Sequence, residues 1–157
     1  MLSRRLVGMV EDHADQLTRG LIAELKQDPR TSEYSKFSNE EIYRRVYKVY
    51  HDLGEWLGRE AEHLAKAHYT ELGELRATEG VPVSQVLYAL IRTKAHLFEY
   101  ISRAGLFDSA VDLYQVQEFR RLVNGFFDNA IYFTALAYER KAGMHLVPST
   151  VAEARSA

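Results

Sequence analysis

Apolar residues recur at three- and four-residue spacing over most of the chain, and nowhere do they alternate with polar ones as a strand requires. The pattern predicts an all-α fold, a helical bundle of five to seven helices. The first period runs from Leu2 through Leu6, Met9, Val10, Leu17 and Leu21 to about Gln27 as one helix, and Asp28-Pro29 stops it. Arg30 to Phe37 is polar and aperiodic. Ser38 and Glu41 then spell a capping box ahead of Ile42, Val46, Val49 and Leu53, and the same phase continues through Leu57, Ala61, Leu64, Leu72 and Leu75. Gly54, Gly58 and Gly73 weaken this long stretch, so it is expected to form two or three pieces bent at those glycines.

Gly80 is placed to cap the end of that region, and Pro82 suits the first turn of a helix that runs to about Arg103 and ends at Gly105. Its apolar stripe holds Val83, Val86, Leu87, Leu90, Ile91, Leu97, Phe98 and Ile101, with Arg92, His96, Glu99 and Arg103 opposite. Lys94 falls inside the stripe. A charge aimed at a core must be paired, neutralised, or carried out to solvent on its own stem.

The last helix begins near Asp108 and turns Phe119, Leu122, Val123, Phe126, Phe127, Ala130, Thr134 and Ala137 to one side. Ile131, Tyr132, Phe133 and Leu136 make its second half apolar almost all round, a pattern that calls for cover on more than one side. A second copy of the chain would supply it, which makes Phe126, Phe127, Ile131, Phe133 and Leu136 the candidate homodimer residues. Gly125 is expected to permit a close helix crossing. Residues 144–157 carry no period and are expected to form a flexible tail.

Composition narrows the function. At 157 residues with 46% apolar side chains, the chain suits one domain with a real core, here residues 1–143. A formal charge of -2 leaves no electrostatic footprint for nucleic acid and no polybasic patch for anionic lipid. The absence of cysteine excludes a disulfide framework, a thiolate nucleophile and thiolate metal sites, and suits a cytoplasmic protein. The apolar run after Arg4 and Arg5 is broken by Glu11, Asp12 and His13 before a signal-peptide core is complete. The stretch 122–138 contains Asn124, Asp128 and Asn129 and is short for a bilayer, so it reads as a buried or interfacial helix.

Two side chains invite a chemical role. Lys94 either extends along the stripe to a carboxylate or carbonyl, or meets an anionic ligand, for which a carboxylate-headed apolar molecule would be suitable. His68 shares the arc of Leu57, Ala61, Leu64, Leu72 and Leu75. It is either a core histidine with one hydrogen bond or an axial haem ligand in a globin-type pocket. With Leu64, Leu72, Leu90 and Phe98 these two make the candidate ligand pocket; a fatty-acid or lipid carrier with Lys94 inside is the third reading. His63 lies about 140° from His68 on the wheel, so the pair cannot share a metal. His96 falls on the polar face, His145 in the tail, and His13 within the first stripe, where partial burial is expected.

The pairs Glu40-Glu41 and Glu60-x-Glu62 stand beside basic residues and read as solvated. Ser149 and Thr150 have no positioned base, and Gly54-x-x-x-Gly58 lacks the lysine and strand of a nucleotide loop. No catalytic set emerges, and no metal set.

Two segments are suggestive together: the run from Arg76-Ala77-Thr78-Glu79-Gly80-Val81-Pro82-Val83-Ser84 to Leu90, and Phe126-Phe127-Asp128-Asn129-Ala130-Ile131-Tyr132. They resemble the N-terminal sensor domain of RsbR-type stressosome co-antagonists and related bacterial histidine kinases, from the second helix onward. The resemblance implies a globin-like helical domain without haem. Such a domain dimerises through its late helices and passes a signal to an output module or signalling protein. It would put His68-x-x-x-Leu72-Gly73 near the place where a haem globin holds its iron ligand. The chain departs from the family in having no kinase or phosphate-accepting module after Gly143, so it is expected either to stand alone or to be a piece of a longer sensor.

Overall fold

The structure, a computed structural model, describes residues 4–104 and 110–143. The expected ends of two helices at Gly105 and Asp108, the position Leu2 and the tail 144–157 lie outside the described residues. Those described form seven α-helices and one 3-10 segment: α1 (Arg4–Asp12), α2 (Ala14–Gln27), the 3-10 segment (Pro29–Lys36), α3 (Asn39–His51), α4 (Leu53–Trp56), α5 (Ala61–Glu79), α6 (Val83–Ala104) and α7 (Ala110–Gly143). The fold is an all-α helical bundle.

Several boundaries are set by local chemistry. The Asp28 side chain accepts from the backbone N–H of Arg30 at 2.9 Å and so caps the 3-10 segment that Pro29 opens. Ser38 Oγ accepts from Glu41 N at 3.2 Å while the Glu41 carboxylate accepts from Ser38 N at 3.4 Å, completing the capping box of α3. Gly80 ends α5 in the left-handed conformation, φ 73°, which costs glycine least.

Other boundaries differ from the sequence pattern. The first helix is two, broken at His13, whose N–H is shared between the carbonyls of Met9 and Val10 at 3.2 Å each. Its ring turns outward to Met9 O at 2.8 Å, so His13 is exposed rather than part of the stripe. The polar stretch before Ser38 is not a loop: it coils as 3-10 turns that bury Thr31 and Tyr34. The second helical region breaks at Asp52 and over 57–60. Gly54 lies inside the single turn of α4, Gly58 in the following turn, and Gly73 in an unbroken α5.

The core runs the length of the bundle, with Leu21, Leu25, Tyr50, Leu53, Val86, Leu97, Phe119 and Phe127 among its most enclosed side chains. Its closest seam is between α5 and α7. Tyr69 meets Phe126 (ring centroids 5.8 Å apart), Gly73 lies against Thr134 and Ala137, and Tyr138 Oη donates to Val81 O at 2.6 Å. These pairings advance together, so the two helices run in the same direction. A Cβ at Gly73 would stand 2.9 Å from the Ala137 Cβ and 3.1 Å from Tyr138 N. Gly125, by contrast, has nothing near its absent side chain and faces solvent, so the close crossing expected there occurs at Gly73 instead.

Candidate functional site

Between the 3-10 segment, α2, α3, α5 and α6 lies a small, mainly apolar cavity of about 50 Å³. Leu25, Ile42, Val46, Val49, Leu72 and Leu90 supply its apolar wall; Tyr34, Arg45, His68, Tyr69, Arg76 and Thr93 supply its polar atoms. Outside it is a wider groove of about 570 Å³ between α3 and α5, to which Arg44, Arg45, Lys48, His68 and Arg76 contribute together with Glu41, Glu71 and Glu79. Arg45, His68 and Arg76 belong to both spaces and form the partition between them.

Each partition residue is held differently. Arg76 is only 6% exposed, its guanidinium lies over the rings of Phe37 (4.3 Å) and Tyr34 (5.4 Å), and Nη1 donates to Glu79 at 2.8 Å. Its Nε is buried with no hydrogen-bond partner. Arg45 reaches the exposed Glu71 at only 3.7 Å, a loose pair. His68 is half-buried and held by ring contacts, edge-on to Trp56 at 5.3 Å and to Tyr69 at 4.8 Å; its ring nitrogens bond no described residue. Burial, reinforced by the positive charges of Arg45 and Lys48, pushes the imidazole down to about 4, so it is neutral near pH 7. Tyr69 is 1% exposed and its hydroxyl, too, is buried without a partner. Burial raises its ionisation well above the ordinary tyrosine range.

Of the six pocket candidates, the structure brings His68, Leu72 and Leu90 to this one cavity. It does not bring the other three there. Leu64 is 37% exposed, Phe98 is half-buried under the Arg120 guanidinium at 5.0 Å, and Lys94 is half-buried on the flank of α6, bonded to no described residue. The buried line of α6 is Val86, Ala89, Leu90, Thr93, Leu97 and Ile101, rotated from the apolar stripe toward its small residues, and Lys94 lies at its edge. Among the dimer candidates, Phe126 and Phe127 are buried in the chain's own core, while Ile131, Phe133 and Leu136 are half-buried beside the 59% exposed Tyr132.

The sequence pattern missed Arg45, Tyr69 and Arg76. The face that α5 buries is Ala65, Tyr69, Leu72, Gly73 and Arg76, not the line of Leu64 and Leu75. That spacing is helical, and it becomes visible only when a tyrosine and an arginine are admitted as core residues.

A haem does not fit beside His68. A cavity of about 150 Å³ accommodates benzene, and the space beside His68, about 50 Å³, is a third of that. Trp56 and Tyr69 pack edge-on against the imidazole, and the wider groove is lined by seven charged side chains with only Phe37 and Leu75 among them apolar, not the two apolar faces a macrocycle needs. On the opposite flank, liganding atoms of Glu24, His96 and Glu99 lie within 4.8 Å of one another. Arg92 Nη2 already donates to Glu24 Oε1 at 3.0 Å and to Glu99 Oε1 at 3.2 Å. The cluster is thus an ion-pair clamp between α2 and α6, so the face of α6 that carries Arg92 and His96 is not turned to open solvent.

Residues 11–142 match the family model described as the RsbT co-antagonist protein rsbRD N-terminal domain. No curated protein and no solved structure matches the chain.

Proposed function

The chain belongs to the family of RsbT co-antagonist protein rsbRD N-terminal domains, and from that premise we propose that it is a non-catalytic sensory domain which dimerises and relays a shift in helix packing to an output module. The signal is a ligand or partner that favours one packing over another, since only a difference in affinity between two states can move their balance. Among the described residues no helix is long and apolar enough to cross a membrane.

One observation carries the relay: Tyr69 lines the cavity and at the same time packs its ring on Phe126 of α7. One buried face of α5 therefore borders both the internal space, through Tyr69, Leu72 and Arg76, and the seam with α7, through Tyr69 and Gly73. Across that seam at Gly73 there is no slack, so a displacement of α5 must be followed by α7 or break the contact. Helix α7, with 34 residues and a length of about 51 Å, is the longest lever in the molecule. Tyr132 on its outer side, with Ile131, Phe133 and Leu136 beside it, supports a seam with a second copy.

Sedimentation velocity over a hundredfold range of protein concentration tests the dimer. The wild-type chain is expected to sediment as a dimer, and Tyr132→Glu and Phe133→Glu to shift it toward monomer with helical circular dichroism retained. A wild-type monomer at every concentration would overturn the reading.

A further inference from the structure

The donors around the cavity are unbalanced. Tyr69 Oη and Arg76 Nε are both buried without an acceptor, on residues that line the same space. A buried donor left unpaired is costly, so its neighbourhood is where an acceptor from outside the chain is most useful. The groove that opens beside them brings four cationic side chains against three carboxylates, and Arg44 and Lys48 pair with no described residue. With a neutral His68, the surplus is one positive charge. The mouth is therefore matched to a monoanion, and the interior to an apolar group smaller than benzene.

We propose that this site binds a short aliphatic carboxylate of about three or four carbons, its alkyl end enclosed by Leu25, Ile42, Val46, Val49, Leu72 and Leu90 and its carboxylate beside Arg45, His68 and Arg76. Lys48 strengthens the field at the mouth without entering the cavity. The inference rests on the sensory reading above and gives its signal a chemical class. It also moves the anion from Lys94 to the α3–α5 partition. An arriving carboxylate adds an acceptor next to α5, the helix that already carries the contact with α7, so the site and the relay share one element.

The chain carries its own reporter. Trp56 is its one tryptophan, and its ring centroid is 5.3 Å from that of His68. Titrating the intact protein with 2-methylpropanoate is expected to change Trp56 emission saturably, while 2-methylpropan-1-ol, the same branch without the charge, binds at least tenfold more weakly. The pKa of His68, followed by NMR, is expected to rise from about 4 on binding, because a nearby negative charge favours the imidazolium. Arg45→Gln and Lys48→Gln, which alter partly exposed and exposed side chains, are each expected to weaken binding by roughly tenfold. Val46→Phe fills the cavity and is expected to abolish the response with the helical spectrum unchanged.

Three results would overturn the inference: no emission change up to high millimolar carboxylate, equal affinity for the alcohol, or an equal response to inorganic phosphate. The last would mean that the outer basic groove alone is being titrated. A chain that ignores carboxylates yet dimerises sinks this inference and spares the sensory reading; a monomer that binds them does the reverse.

Discussion

Two glycines lie in the middle of long helices and should respond to the same substitution with opposite sign. Gly73→Ala puts a methyl group where the Thr134 carbonyl, the Ala137 Cβ at 2.9 Å and the Tyr138 amide at 3.1 Å already stand. Two of the three obstacles are backbone, so α5 and α7 must separate rather than a side chain rotate. Overpacking of this kind costs about 3 kcal/mol. The better helix propensity of alanine returns about 1 kcal/mol, leaving a net loss of about 2 kcal/mol. Gly125→Ala meets nothing within 4 Å, so the propensity gain of about 1 kcal/mol stands alone. For a domain of this length the thermal midpoint should fall by about 4–8 °C in the first variant and rise by about 2–4 °C in the second. Circular dichroism at 222 nm, with protein concentration held equal because any dimer makes the midpoint concentration-dependent, reads both. A neutral or stabilised Gly73→Ala would refute the close seam and, with it, the mechanical argument that α7 must follow α5.

Other measurements probe the partition residues. Arg76→Ala removes a guanidinium packed on two rings and bonded to Glu79, and should cost about 2–3 kcal/mol in urea denaturation; a loss below about 0.5 kcal/mol would show that Arg76 is not part of the core. His68 takes up a proton near 6.5 when unfolded and only at about 4 when folded, so its contribution is fully present above about pH 6.5 and is lost as pH falls toward 4. The unfolding free energy should therefore decline through that window, and His68→Leu should flatten the decline; an unchanged slope would place the pH dependence on other groups.

What could be read from the chain was what is decided within one turn of backbone. Asp28-Pro29, Ser38 with Glu41, and Gly80 act on hydrogen bonds a few residues away, and each marks a real boundary. The rotation of α5 could not be read in this way. Its inner face has a tyrosine, a glycine and an arginine where the pattern favours leucines, and each is core-forming only because of something brought from elsewhere: Phe37 and Tyr34 for Arg76, Thr134 and Ala137 for Gly73, Phe126 for Tyr69. Leu64 and Leu75 satisfy the period and are left largely outside.

Lys94 attracted attention for a related reason. Counting only large apolar side chains rotates the inner line of α6 away from Ala89 and Thr93, yet both of these small residues are buried. Thr93 O accepts the Tyr50 hydroxyl at 2.8 Å and so fixes α6 against α3, an approach that a large residue at 93 would obstruct. His68 stood out for its place on a helix, but its chemical interest comes from the two arginines that flank it, one from α3 and one from its own helix. Periodicity thus locates which segments are helices and where they stop. The side of each that matters is set by its smallest residues and its best-covered charges, and those are defined by contacts between segments.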